Sequence, residues 1–326
     1  MRVYGWNYSV SRADPPTIFV KNSHTETIMR KIILTAVALG ALLTLTACGG
    51  GGEATTTATS TASATASAKD DTIAALVPET ISATGKLVVG SDTSYAPAEF
   101  LDEDGKTPIG YDVEIADAIA AVMGLKADVQ SSSFDAIIPA VGSKYDIGIS
   151  SFTVNPERMQ QVNMVSYLSA GSAFAVAKGN PKGLTTDDLC GLVIGVQTGT
   201  TQDDYVKDTV IPACEKAGKT APTPLQYDLQ TDVTTALLGG KADVMAADSP
   251  VIAYAVAQTG DKLEQLGDIF DTAPQAVVVS KSDEKLTEAV QAALQKIIDN
   301  GTYGKILDKW GMSESAVATA EINPAS

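Results

Sequence analysis

The chain has 326 residues, 44% of them hydrophobic and 19% charged, enough for one or two packed domains. Its formal net charge is −16, and because residues 1–47 hold five Lys/Arg and two Asp/Glu, the remainder stands at −19. So acidic a body argues against nucleic acid as a partner and for a soluble, self-repelling domain.

Residues 1–28 show no periodic pattern and read as an upstream over-extension of the reading frame, with Met29 as the start. Met29-Arg30-Lys31 opens the apolar run Ile32–Ala47, which as a helix is ~24 Å long, short of a ~30 Å hydrocarbon core. A basic segment, a short apolar run and a small residue make a secretory signal over 29–47. The run closes Leu45-Thr46-Ala47-Cys48-Gly49, which resembles a bacterial lipobox. That resemblance implies a lipid on Cys48 and a chain held at the outer face of the cell membrane. The only histidine, His24, precedes the signal, so Ser-His-Asp, Cys-His and His-ligated zinc chemistry are absent from the mature chain. Cys190 and Cys214 most simply form one disulfide in an oxidising compartment, the alternative being two buried thiols.

Residues 48–83 are expected as a linker, with Gly49 to about Ser67, all but free of groups to bury, as a disordered tether of ~30 Å reach. Beyond it strand and helix patterns alternate. Leu87–Gly90 reads as a buried strand, Asp92–Phe100 as a loop and Asp102–Gly105 as a hairpin turn. Val113, Ala116, Ile119, Ala120 and Met123 have helical spacing, with Gly124 as stop. Strands are expected at Ala127–Gln130, Tyr145–Ile149 and Ser172–Ala177, and a helix capped by Ser133 between the first two. A second series begins with a short helix at Thr186–Cys190 and a strand at Leu192–Val196. It continues with helices through Tyr205–Val206 and Val233–Leu238, a strand from Ala242 to Asp248, and a helix from Pro250 to Gln258. A strand at Ala276–Val279 and helices at Glu284–Asp299 and Tyr303–Trp310 close the body. The alternation implies an α/β fold with mixed sheets covered on both faces, in two lobes.

Ser150 to Arg158 is the most chemically suggestive stretch. A strand ends in small hydroxyl residues, Asn155 can cap a helix opened by Pro156, and Arg158 follows on its first turn. Hydroxyls, free N–H groups and a guanidinium suit a small carboxylate. Arg158 on the surface, paired with Glu157, is the plainer alternative. In open α/β sheets ligands sit beyond the carboxyl ends of strands, and Asp92, Ser151, Thr198 and Asp248 all follow such ends.

The ordered blocks Asp92–Pro97, Gly110–Val113, Phe134–Ala140, Thr153 with Pro156-Glu157-Arg158, Gly195–Thr201, Ala242-Asp243 with Asp248-Ser249-Pro250, and Asn300–Tyr303 with Trp310 resemble the bacterial extracellular solute-binding proteins of family 3. The resemblance covers Leu87 to Gly311. It implies a type II periplasmic-binding-protein-like fold, with lobe 1 at 84–170 plus 274–314, lobe 2 at 171–273, hinge strands near Leu168–Ser172 and Asp271–Gln275, and a tail at 315–326. The Cys190–Cys214 pair would lie within lobe 2.

The function implied is capture of a polar neutral or basic L-amino acid, such as glutamine, arginine, lysine or histidine. A monomer would present it to an ABC permease and its ATPase, without cofactor, metal or catalytic residue. Carried over, Arg158 takes the α-carboxylate with N–H donors near Thr153 and Thr201, and Asp248 takes the α-ammonium with Ser151 and the Thr153 hydroxyl. Tyr95 and Phe134 sandwich the side-chain stem, and Asp92 reaches its distal end. Ala98, where the family often has Phe, is expected to reshape the cleft. Gln197 is neutral where some glutamine binders carry a positive residue. A cyclohexadienyl or arogenate dehydratase-like enzyme and a ligand-sensing module are the other readings on this fold.

Overall fold

The computed structural model describes residues 68–325. The signal segment, Cys48, His24 and the Gly49–Ser67 tether lie outside the described residues. Within them, no helix is long and apolar enough to cross a membrane.

The body begins earlier than the sequence pattern suggested. Helices α1 (Asp71–Ala74) and α2 (Glu79–Ser82) occupy what was expected as the end of the 48–83 linker. Ile73, Val77 and Ile81, spaced by four, are buried in the main core. Asp70 caps α1 through Thr72 N (3.0 Å) and Ile73 N (3.3 Å) and pairs with Lys296 at 3.1 Å.

There follow β1 (Lys86–Ser91), a small antiparallel sheet of β2 (Ser94–Tyr95), β3 (Glu99–Leu101) and β4 (Pro108–Ile109), and α3 (Tyr111–Val122). Next come β5 (Lys126–Ser131), α4 (Phe134–Ala140), β6 (Ile147–Thr153), α5 (Pro156–Gln161) and β7 (Val162–Ala177). The second series is β8 (Val193–Gln197), α6 (Thr201–Tyr205), a π-helical turn (Val206–Val210), α7 (Ile211–Lys216), β9 (Thr223–Tyr227), α8 (Gln230–Leu238), β10 (Val244–Asp248) and α9 (Ser249–Gln258). The long strand β11 (Leu263–Ser280) and helices α10 (Glu284–Asp299) and α11 (Thr302–Trp310) complete it. Gly110 opens α3 at φ 129°, where a Cβ would sit 2.1 Å from the Ala98 carbonyl oxygen, so this tight approach requires glycine.

The main sheet runs β5-β1-β6-β11-β7-β10-β8-β9. β1 is parallel to β5 and β6, β10 is parallel to β8, and β8 to β9. Antiparallel β7 and β11 run through the middle and join the two groups. Their register breaks between Leu266 and Phe270 and again between Phe270 and Ala273. Asp271 there has φ 49°, and a Cβ on the facing Gly171 would lie 2.4 Å from Ile269 Cγ2.

Three other expectations need correction. Thr186–Cys190 is a turn, not a helix: Thr185 bridges Asp188, whose carboxylate accepts the Cys190 N–H at 3.3 Å and so competes with helical bonding. Edge strand β9 and the first half of β11 escaped notice, because Pro224 in the one and the polar, half-exposed pattern of the other mask the alternation. Residues 315–325, expected only as a tail, pack against the body. Ala316 and Ile322 bridge Leu168 and Val165, and Ser166 N donates to Glu321 O at 2.9 Å. The segment covers the edge of β7 that β10 leaves unpaired, which satisfies its backbone groups. Cys190 and Cys214 form a disulfide that ties the loop before β8 to α7.

Candidate functional site

The ends of β6 and β10, the loop after β8 and the loop after β1 converge on one narrow cavity. Its lining includes Tyr95, Phe134, Ser150, Ser151, Thr153, Arg158, Thr200, Thr201, Gln202 and Asp248.

The arginine is placed by the local signals in its sequence. Asn155 caps α5, its Oδ1 accepting the Arg158 N–H at 2.8 Å, with Pro156 at the first helical position. Arg158 is buried, donating from Nη1 to Thr153 O (2.9 Å) and from Nη2 to Gly199 O (3.2 Å). Its guanidinium carbon lies 5.3 Å from the Phe134 ring centroid and 5.7 Å from that of Phe152. Those two rings stack at 4.8 Å. Burial pulls the guanidinium below its ordinary value, opposed by the Asp248 and Asp204 charges. Among the described residues no carboxylate forms an ion pair with it.

Asp248, at the end of β10, is equally buried and among the described residues has no cationic partner at bonding distance. Its oxygens accept Gln202 Nε2 (2.8 Å) and Gln275 Nε2 (2.7 Å), and its backbone N–H donates to the Tyr95 hydroxyl at 3.2 Å. Burial pushes its carboxyl up to about 6, opposed by the Gln202 and Tyr95 bonds, the Arg158 charge and Gln275. Ser151 holds φ 50°, a strained value for a serine at the end of a strand, and its N–H donates to Asp112 Oδ2 at 2.9 Å. Thr201 opens the helical run 201–216, and Thr200 caps it by accepting Asp203 N–H at 3.2 Å.

Bonds cross between the two groups of strands. Gln197 Nε2 donates to Asp92 Oδ2 at 2.5 Å and to Asp228 O at 2.9 Å, and Gln230 N donates to Ser94 Oγ at 3.0 Å. Together with the Arg158–Gly199 and Asp248–Tyr95 bonds, they hold the halves in contact.

Of the residues singled out from sequence, Tyr95, Phe134, Ser151, Thr153, Arg158, Thr201 and Asp248 line the cavity. Asp92 and Gln197 do not line it; they engage each other beside it, because a buried carboxylate takes the nearest amide donor. Burial raises the Asp92 carboxyl, opposed by bonds from Ser94 and Gln197. Ala98 is fully buried in the core beneath Gly110 and does not itself line the cavity.

The family model for bacterial extracellular solute-binding proteins, family 3, matches residues 87–313. The chain belongs to this family. It is 36% identical over 255 residues to the arginine-binding protein ArgT of Corynebacterium glutamicum, covering 77% of this chain and 82% of that one. An ancestral arginine-binding protein bound to arginine superposes with TM-score 0.63 at 33% identity, covering 69% of this chain and 98% of the other. A further ancestral amino acid-binding protein, a precursor of cyclohexadienyl dehydratase, gives TM-score 0.64 at 30% identity, over 71% and 98% of the two chains.

For this family member, sequence reasoning missed Ser150, Thr200, Gln202 and Gln275, and the buried acid Asp112, whereas Glu99 beside Asp92 was already read from sequence as favouring a neutral-polar or basic ligand side chain. Gln202 carried a readable signal, following Thr200-Thr201 at a helix start. Gln275 carried none, because a single glutamine in an apolar strand gives no sign of what lies opposite.

Proposed function

We propose that this chain is an extracytoplasmic receptor that captures one polar L-amino acid and presents it to the permease and ATPase of an ABC importer. The observation that supports it is one cavity lined by both Arg158 and Asp248, which among the described residues have no carboxylate and no cationic partner respectively. A free amino acid supplies the missing charge to each. Its α-carboxylate matches the planar guanidinium fork and its α-ammonium matches Asp248. Tyr95 and Phe134 flank the stem between them. Ligand contacts from both halves form only when these meet, so binding favours closure about β7 and β11 near Gly171 and Asp271.

Among glutamine, arginine, lysine and histidine, the buried acids beside the cavity favour a cationic side chain. Asp92 can exchange its Gln197 partner for a ligand donor. The relatives named for arginine point the same way. A lipid on Cys48 would hold this monomeric receptor at the outer face of the membrane, and alanine at Cys48 should release it from membrane fractions.

Isothermal calorimetry against the twenty amino acids tests the reading. Saturable 1:1 binding of a polar amino acid supports it, and no binding by any of them ends it. Incubation with prephenate and arogenate checks the enzymatic alternative, for which turnover is the required sign.

A further inference from the structure

Glu99, on β3, and Asp112, on the first turn of α3, are both completely buried. Glu99 Oε1 accepts the Ser150 hydroxyl at 2.6 Å. Asp112 Oδ2 accepts the Ser151 N–H at 2.9 Å and the Tyr167 hydroxyl at 2.7 Å. The other two oxygens, Glu99 Oε2 and Asp112 Oδ1, are buried with no donor among the described residues. An unpaired buried carboxylate oxygen is costly, and two of them side by side are costlier.

The two carboxyls are neighbours, since they accept bonds from the adjacent residues Ser150 and Ser151 and each acts on the other's ionisation. The titratable groups facing them are Asp92, Tyr95, Tyr111 and Tyr167, all acids. Among the described residues, no Lys or Arg bonds either carboxyl. Burial and the Asp112 charge push Glu99 well up, and burial lifts Asp112 to about 6. Adjacent carboxylates in such a place do not both ionise. One proton between Oε2 and Oδ1 satisfies both orphan atoms at once.

This bears on the site through Ser150, which lines the cavity. Its proton goes to Glu99, one lone pair accepts the Asp92 N–H at 3.0 Å, and one lone pair is left. We propose that Glu99 and Asp112 hold a single shared proton, and that Glu99 thereby fixes Ser150 as a hydrogen-bond acceptor, selecting a ligand whose side chain ends in N–H donors. The selection rests on the amino-acid reading above, whereas the shared proton stands without it.

Thermal denaturation of the full chain tests the proton. Glu99→Gln and Asp112→Asn each supply an amide N–H where the proton lay, so each single variant folds. The double variant turns two amide groups N–H to N–H and melts about 8 °C below the additive expectation. The pair's stabilisation is present below the ordinary carboxyl range and lost as pH rises through the raised folded value. The Tm of Glu99→Gln relative to the natural chain therefore climbs as pH rises above the ordinary carboxyl range. An additive double variant, or a pH-independent difference, overturns the shared proton.

Calorimetry with L-arginine and its neutral near-isostere L-citrulline tests the selection. Glu99→Met frees the Ser150 proton to donate, and the arginine-to-citrulline preference falls about tenfold. Glu99→Gln, which still accepts that proton, restores it. An unchanged preference in Glu99→Met overturns the role of Glu99. If the natural chain binds no amino acid, the functional reading and the selection fall together, while the melting comparison still decides the proton.

Discussion

The two ends of the cavity solve opposite problems. At the α5 end a buried cation is held by neutral groups only: two carbonyl oxygens and two aromatic faces. At the β1 end buried acids meet an amide, a hydroxyl and one another, with no cation at bonding distance among the described residues. Each end is partly satisfied by dipoles and, among the described residues, has no opposite charge at bonding distance. A site built this way stays folded yet gains most from a ligand carrying both signs. The Arg158 end is set by one short segment and serves every amino acid alike. The acidic end draws on β1, β3, α3, β6 and β8, and is where discrimination between side chains arises.

The sharpest way to break the contrast is Arg158→Ala. Truncating one partner of a buried ion pair should weaken binding of every amino acid about a hundredfold or more, measured by calorimetry. A loss confined to one ligand would mean the two ends are not divided as described. Asp248→Asn comes next, with about ten- to a hundredfold loss for all ligands.

Asp248 also brings a pH dependence. Its carboxyl sits near 6 in the folded chain, so the free site is protonated below that value and capture of an ammonium weakens about tenfold per unit of further acidification. The same raised value means that its contribution to folding is present below its ordinary range and lost as pH rises through about 6. Calorimetry and melting from about pH 4 to about pH 8 should therefore trend in opposite directions.

Asp92→Asn sharpens the comparison rather than breaking it. It should lower arginine affinity about tenfold and glutamine affinity little, since only the side-chain end is touched. Serine at both Cys190 and Cys214 is the remote control. Opening a link across 24 residues should cost about 3 kcal/mol of stability, read as a lower Tm, with affinity within about threefold.

Much of the carboxylate end was legible because it is local. Asn155, Pro156 and Arg158 carry a capped helix start within a few residues, and the structure builds it so. The parallel units and most helices were readable for the same reason, since period and punctuation are near-neighbour properties. The acidic end was not. Asp92 looked like a ligand group, and only the folded chain shows Gln197 meeting it from across 105 positions. Ala98 looked like a cleft residue until Gly110 covered it.

The sequence by itself determined the family, the alternation of strand and helix, the arginine segment and the pairing of Cys190 with Cys214 as the simplest outcome. Tertiary structure alone decided where the body begins and ends, because Ile73, Val77, Ile81, Ala316 and Ile322 acquire partners only from distant elements. It also decided which acids meet which donors. Hydrogen-bond partnership in a buried cluster depends on long-range register and on what is excluded, and neither has a period that a chain can display.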